Sequence, residues 1–534
     1  MAYETGTCTD HLDFMQKLNT FLLKGHPLPP TYTGTGNGLL TGAIGTATSV
    51  QEVITITFTS STAFNVAGSV SGALGSGTVG TLFTHAKVSF TVTAGGTAWV
   101  ASDTIVFTMT PPWTRLRWSG GQALYNSGFS NPANVYDGSS STVATVVAGS
   151  LPASIGIQLM NAQEVRSFTV QGAVSTVNNS PNAWVLEWSD NGSSWTAAQT
   201  YTGQTAWTGS QVRSFDVSSA PGAHLYWRLR FTANNGGTTL DVAEVNFYTA
   251  VGVPATAMIP WTMEAIYSAP GNGSDITNYV GFKLWADAGG DYWNWRLGAF
   301  TGYSAGTAFA SLPGAMTRPM LTLWNGSTTY WFNATGRRVA VVAKVSTVYV
   351  SAYLGLMLPY ASAAAYPYPQ VCGGNLSYNT EPAVGNAGWR WSTTNAQLGN
   401  WPMASGGYSV SLDLSMQLRK ADGTWQGFQR HTINQALTGI IQPYAPINST
   451  VENGMVNLRE NLDGSYPLLP IFWMETVFQA AASRQVYGEP EGIMATTGHN
   501  MTSESTITVG RDTWIAFQNV NKTGKNQFFA MLAS

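Results

Sequence analysis

Side chains able to do chemistry are thinly spread in this sequence. Carboxylates come near one another at Asp287 and Asp291 and again at Glu460 and Asp463, and two carboxylates are all a glycosidase needs. But 27 acidic residues scattered over 534 positions produce such neighbours by chance. The six histidines, His11, His26, His85, His224, His431 and His499, stand apart from one another and from any serine in a nucleophile-elbow context. The glycine-rich "GTGNGLLTG" lacks the lysine and the following helix that phosphate binding requires. Cys8 and Cys372 are the only cysteines, too few for a disulfide framework or a zinc cluster. The residues therefore point to binding rather than catalysis.

Composition narrows what is bound. Charged residues make up 10% of the chain and the net charge is -3, so nothing here draws nucleic acid or an anionic membrane electrostatically. With 44% hydrophobic residues, 20 Trp, 22 Tyr and 22 Phe, the chain has ample material for packed cores and is not disordered. Its length calls for about three or four domains. A surface so poor in charge suits a protein held in an assembly.

The elements that must position any site are strands. "VITITFT", "KVSFTVT" and "TIVFTM" place Ile54, Ile56 and Phe58, then Val88, Phe90 and Val92, then Ile105, Phe107 and Met109 on one face of a small β module assigned to residues 33–112. Residues 113–250 continue with "AWVLEWS", turning Trp184, Leu186 and Trp188 inward, and "YWRLRF", turning Trp227, Leu229 and Phe231 inward; helical periodicity is absent and a β-sandwich follows. Residues 251–534 stay β, with "YSVSLDLSMQL" alternating cleanly through Val410, Leu412, Leu414, Met416 and Leu418; they form one domain or two, with a break near 445. The apolar run "RRVAVVAKVSTVYVSAYLGLMLPY" reads as buried strands, not a membrane span, because Lys344 interrupts it and β-branched residues dominate.

One helix is expected, in residues 1–32. Thr9 or Asp10 caps it, Leu12, Met15, Leu18 and Leu22 form its apolar stripe, and Gly25 and Pro27 end it. The segment has neither the basic start nor the unbroken apolar core of a signal peptide. A single stripe needs a covering surface, either the chain's own body or a neighbouring subunit. We expect the neighbouring subunit, making this a docking helix and linker.

Residues 113–249 resemble the discoidin-like domains, also called coagulation factor 5/8 C-type or galactose-binding-like domains, through "NPANVYDGSSST", "LEWSDNGSSWT", "VRSFDV", "YWRLRF" and "LDVAEVNFY" in the family's order. The resemblance implies a jelly-roll sandwich whose end loops bind sugars or lipid headgroups. It also implies a structural calcium held at positions matching Asp137, Thr142 and Glu244, oxygen donors of the kind Ca²⁺ takes. Ser139 and Ala144 depart from the family's usual pattern there. Sugar binding needs aromatic faces in the end loops, and Tyr125 and Trp207 are the loop aromatics that qualify.

A second resemblance lies toward the two ends of the chain. "MAYETGT" with its Leu-rich helix, the 336–374 stretch, "LRENLDGSYPLLPIFW" and the terminal "VYGEPEGIMATTGHNMTSESTITVGRDTWIAFQNVNKTGKNQFFAM" look like stretches of tailed-bacteriophage virion structural proteins. This implies a place in the tail, baseplate or proximal fibre, with other virion proteins as partners and assembly in the host bacterial cytoplasm. It also implies a homo-oligomer, threefold ahead of sixfold, in which Tyr353, Leu356, Tyr360, Tyr366 and Tyr368 line a subunit interface. The expected fold is all-β and multidomain: a short N-terminal helix, a small β module, a discoidin-like jelly-roll β-sandwich and a large C-terminal β-sandwich region. The expected function is structural, without cofactors other than that calcium. A host-surface glycan is the partner if the protein is instead an adhesin, and an envelope polysaccharide depolymerase is the third reading.

Overall fold

A computed structural model describes residues 2–125, 128–273, 275–286, 292–324, 326–377, 416–427, 439–442, 468–476, 484–498, 500–518 and 528–533. The fold is all-β and multidomain with one α-helix among the described residues, as the alternation requires.

A central body is made of two antiparallel sheets. One runs in the order Ala2–Cys8, Thr328–Ala334, Arg338–Val345, Val348–Leu356, Gln370–Gly373, Met416–Arg419 and Trp425–Gly427. The other runs Thr114–Ser119, Met263–Ala269, Asn278–Ala286, Tyr292–Phe300, Pro319–Trp324 and Leu376–Ser377. The helix, His11–Leu22, lies between them. Asp10 caps it by accepting the Asp13 amide at 2.9 Å, and Asp13 returns the bond to the Thr9 amide at 2.9 Å. Phe14 stands edge-on to Trp295 of one sheet at 5.3 Å and to Phe332 of the other at 5.3 Å.

This placement corrects the expectation of a docking helix. Leu12, Met15, Leu18 and Leu22 are fully buried in the chain's own core, together with Phe14 and Phe21, which the stripe reading left out. The first strand, Ala2–Cys8, pairs with Thr328–Ala334, Ala2 facing Ala334. Residues 1–32 are therefore no separate linker, because the apolar area of a six-residue stripe is covered at far lower entropic cost by strands already fixed in the same chain than by a second molecule.

Two modules grow out of this body as insertions. The first is assembled from a sheet ordered His26–Pro27, Thr104–Thr110, Glu52–Phe58, Ala63–Gly68 and Gly72–Thr78, and a second ordered Leu40–Gly45, Val88–Val92 and Leu82–Thr84. It starts several residues before the expected 33, since His26 already pairs with Thr110. Its core holds the alternating residues named above, with Phe58 stacked on Trp99 at 4.1 Å.

The second insertion is the module whose sequence resembles the discoidin-like domains. The strand Thr114–Ser119 pairs with Met263–Ala269 in the body, so the module begins near Gly121 and ends near Pro260, not at 113 and 250. Its five-stranded sheet runs Gly121–Tyr125, Ala153–Gln163, His224–Asn234, Pro181–Ser189 and Thr196–Tyr201, and faces a three-stranded sheet of Val212–Asp216, Ser167–Gln171 and Glu244–Tyr248. A two-stranded ribbon, Ala144–Val147 with Thr239–Val242, closes one end. Trp184, Leu186, Trp227, Leu229 and Phe231 are buried between the sheets. Trp188 is half-buried and stacks on His224 at 3.5 Å.

The apolar run at 337–360 is a hairpin, Arg338–Val345 with Val348–Leu356. It lacks alternation because both its faces are covered. Val339, Val341 and Ala343 face the core shared with the helix, whereas Ala340, Val342 and Tyr353 face a second core with Trp473, Phe517, Phe529 and Met531. Those last residues belong to two further sheets, one ordered Leu358–Pro359, Arg484–Glu489, Phe472–Thr476 and Gly439–Gln442, the other Leu469–Pro470, Ile493–Thr496, Phe528–Leu532, Asp512–Gln518 and Thr506–Val509. The expected break near 445 and residues Val410, Leu412 and Leu414 lie outside the described residues.

The subunit interface proposed around 353–368 is corrected on the same ground. Tyr353, Leu356 and Tyr366 are buried within the chain. The Tyr353 hydroxyl donates to the Leu356 carbonyl at 2.8 Å, and the Tyr366 hydroxyl to that of Arg419. Tyr368 is half-buried beside the Arg419 guanidinium at 5.0 Å, and Tyr360 alone of the five is exposed, at 56%.

Candidate functional site

The residues nominated for calcium are brought together by a tight loop at one end of the discoidin-like module. A 3-10 turn, Pro132–Tyr136, leads into Asp137, and Gly138 takes a φ of 74° that reverses the chain there. The Asp137 carboxylate accepts the Ser139 amide at 2.7 Å and the Thr142 hydroxyl at 2.8 Å; that hydroxyl also lies 3.3 Å from the Ser139 carbonyl. Glu244, the first residue of its strand, faces Gln171 in register and meets Asp137 from across the module.

Two carboxyl groups in one half-buried place cannot both ionise cheaply. Burial, the hydrogen bond to Asp137 and that residue's charge together push the Glu244 pKa up to about 8, against a smaller opposing pull from the Gly138 and Ser139 amides. One Glu244 oxygen, Oε1, is buried without a hydrogen-bond partner. The donor set is oxygen only, two carboxylates, a hydroxyl and a carbonyl, and among the described residues no cluster of three or more His, Cys, Asp or Glu is present. These residues fit a hard cation such as Ca²⁺ rather than zinc. Asp137, Glu244, Thr142 and the Ser139 carbonyl would hold it, and the ion would supply the positive charge that lets both carboxyls ionise.

The nominated sugar platforms fare differently. Trp207 is buried, its indole N–H shared between the carbonyls of Pro181 and Gln204 at 2.8 Å each, and its ring is covered by the Arg213 guanidinium at 4.1 Å. It pins a loop and offers no face to a ligand. Tyr125 ends the Gly121–Tyr125 strand, and its side chain lies outside the described residues. Around Trp207 the loop amides satisfy one another: Asn182 donates to Asn235 at 2.9 Å, and Asn235 to the Ser180 carbonyl at 3.0 Å.

What the sequence reading passed over lies on the outer face of the five-stranded sheet. Glu187 binds Arg228 and Arg230, each at 2.7 Å, and the Trp195 ring lies 3.9 Å from the Arg228 guanidinium. The signal was present: in "YWRLRF" the residues opposite Trp227, Leu229 and Phe231 are Tyr226, Arg228 and Arg230.

The carboxylate pairs considered for hydrolysis, Asp287 with Asp291 and Glu460 with Asp463, lie outside the described residues, as do His431 and His499. His11 accepts the Trp295 indole N–H at 3.1 Å, and burial pulls its pKa down to about 3. No described helix is long and apolar enough to cross a membrane.

No protein-family model matches the chain, and no curated protein does. Among solved structures it is similar to the family 32 carbohydrate-binding module of Clostridium perfringens NanJ in complex with galactose, at 20% identity and a TM-score of 0.21, covering 24% of this chain and 92% of that one. It is also similar to the CBM32 of AlyQ in complex with 4,5-unsaturated mannuronic acid, at 19% identity and a TM-score of 0.21 over 25% of this chain and 99% of the other. The family 32 module of Streptococcus pneumoniae EndoD matches at 16% identity and a TM-score of 0.21, over 25% and 100%.

Proposed function

We propose that this protein is a non-enzymatic structural component of a tailed-phage virion that displays a glycan-binding module. The observation that carries the glycan half is how the module is mounted. Its chain enters and leaves through two paired body strands, and the Gly121 amide donates to the Pro260 carbonyl at 3.2 Å where the two crossings meet. Beyond that junction the body holds the module on one side, where the Trp118 indole N–H donates to the Met160 carbonyl at 2.9 Å and the Trp118 carbonyl accepts Asn161 at 2.9 Å, so the loops and sheet away from that side are left to a ligand. A layer of the body would instead be tied in along its length.

The same mounting supplies the test. Replacing residues 121–259 by a short Gly/Ser linker joins ends that already touch, so the body keeps its fold. On a glycan array the full chain retains at least one saccharide class and the shortened chain retains none. Equal retention by both, or by neither, sinks the glycan reading.

The virion half rests on the resemblance of the two ends of the chain to phage structural proteins. Assembly would then use surfaces other than the opening helix, which is enclosed in the core. A native mass measurement on the full chain is expected to give an oligomer, three copies ahead of six; a monomer at micromolar concentration overturns self-assembly.

A further inference from the structure

Glu187 sits on the Pro181–Ser189 strand directly opposite Arg228, with Arg230 opposite Val185 one step along. Its side chain is buried, 8% exposed, yet it faces away from the module's core. Arg228 reaches Oε2 with both Nε and Nη2 at 2.7 Å, and Arg230 reaches Oε1 with Nε at 2.7 Å. One buried carboxylate therefore fixes two guanidinium groups, and the set carries one net positive charge.

The second arginine is the telling one. A single guanidinium neutralises a carboxylate, and placing another beside it adds like-charge repulsion. Arg230 spends only Nε on Glu187. Its Nη1 and Nη2, and Nη1 of Arg228, make no hydrogen bond with any described residue. The two side chains are 32% and 22% exposed. The unbonded donors are thus carried on side chains that are anchored at Nε and still partly exposed, the kind of preorganisation that an anion site needs.

The surroundings favour a saccharide over a free inorganic ion. Trp195, half-buried, carries the Arg228 guanidinium over one ring face at 3.9 Å, which leaves only its opposite face and edge to meet the C–H groups of a sugar. Gln158 donates to the Tyr226 hydroxyl at 2.9 Å and accepts from Gln122 at 2.8 Å, extending a polar row across three neighbouring strands. Gly156 faces Arg228 on the next strand, where any side chain would come within 2.6 Å of the arginine stem, so the floor beside the pair stays low.

We propose that this sheet face binds a carboxylate-bearing saccharide, a uronate unit of an acidic polysaccharide, whose planar carboxylate takes the free edge of Arg230 in a two-bond fork while Trp195 packs the sugar ring. The proposal rests on the glycan-binding reading of the module and narrows its ligand. A guanidinium fork matches the two coplanar oxygens of a carboxylate, which a lysine cannot do.

The experiment is affinity electrophoresis of the full chain through gels holding polygalacturonate, neutral galactan or dextran sulfate, with thermal melts as the folding control. Polygalacturonate is expected to retard the chain most. Arg230→Gln, which leaves Glu187 its partner Arg228, weakens that retention by about tenfold or more, as loss of a charge-assisted bond does. Arg230→Lys, keeping the charge without the fork, recovers only part of it. Undiminished retention of Arg230→Gln places the site elsewhere and overturns the proposal. Retention by galactan but not polygalacturonate also overturns it while leaving the glycan reading intact, and retention by no polymer removes both. Dextran sulfate binding as strongly as polygalacturonate, with Arg230→Lys equal to the parent, reduces the face to charge alone and overturns the carboxylate assignment.

Discussion

The two inserted modules are mounted alike and spend their charged residues in opposite ways. In the small module Asp103 turns inward and accepts the amides of Thr35 at 3.1 Å, Gly36 at 2.9 Å and Val100 at 3.0 Å. Burial alone would raise its carboxyl, but those amides and the Arg511 charge hold it below the ordinary carboxylate range. Glu52 likewise accepts the Ser71 amide and hydroxyl, each at 2.9 Å. The discoidin-like module instead leaves Arg230 with open donors and gathers Asp137 and Glu244 short of positive charge. Saturated polar groups make a rigid spacer. Groups held in place but unsatisfied make a site, because a ligand gains what the fold left unmade.

The strongest way to break this comparison is to remove each module in turn. Excising residues 121–259 is expected to abolish glycan retention, whereas excising residues 27–109, whose ends meet where the Thr110 hydroxyl donates to the His26 carbonyl at 2.8 Å, leaves retention unchanged. Loss of retention in the second case makes the small module part of the site.

Next in size is the body that carries both. Phe14→Ala empties a position wedged between Trp295 and Phe332 and should cost about 3–5 kcal/mol, read as a fall in the denaturant midpoint of the body transition. A change near zero would mean that the helix is dispensable to the fold.

A smaller effect separates the modules by pH. The folded Glu244 holds its proton up to about 8, against an ordinary value of 4.5, so the native state binds more protons than the unfolded chain in that interval. Stability of the discoidin-like module therefore falls as pH rises from about 4.5 to about 8, and millimolar calcium reverses the loss by replacing the proton. Glu244→Gln should flatten both responses in thermal melts; an unchanged calcium shift in that variant would exclude Glu244 as a ligand.

The smallest effect concerns how the spacer is held. Arg511, in the turn before Asp512–Gln518, donates to the Gly36 carbonyl at 2.6 Å and lies 4.0 Å over the Tyr32 ring. Arg511→Ala should cost about 1 kcal/mol, seen as faster hydrogen exchange around Gly36 with the module's own melting unchanged. No change in exchange would show that the module is oriented by its strand connections alone.

Much of the fold was legible because alternation records which side of a strand meets solvent. Ile54, Phe90 and Phe107 in the small module, and Trp184 and Leu229 in the discoidin-like one, are buried as their spacing required. The meeting of Asp137 with Glu244 was legible only through the family resemblance, since the two are too far apart in sequence for any spacing rule. Trp207 was misread because an aromatic between glycines and polar residues looks like a loop platform, while the contacts that bury it come from Pro181 and Gln204.

The sequence by itself determined the strand periodicity, the helix with a cap at Thr9 or Asp10, and the outward stripe of Tyr226, Arg228 and Arg230, because these depend on neighbours a few residues away. The tertiary structure alone decided what covers the helix, where the two insertions begin and end, and that Glu187 meets both arginines. Each of those depends on pairing between distant segments, such as Ala2 with Ala334 or Thr114 with Ser268, and such pairings are selected by the free energy of the whole core and not by any local pattern.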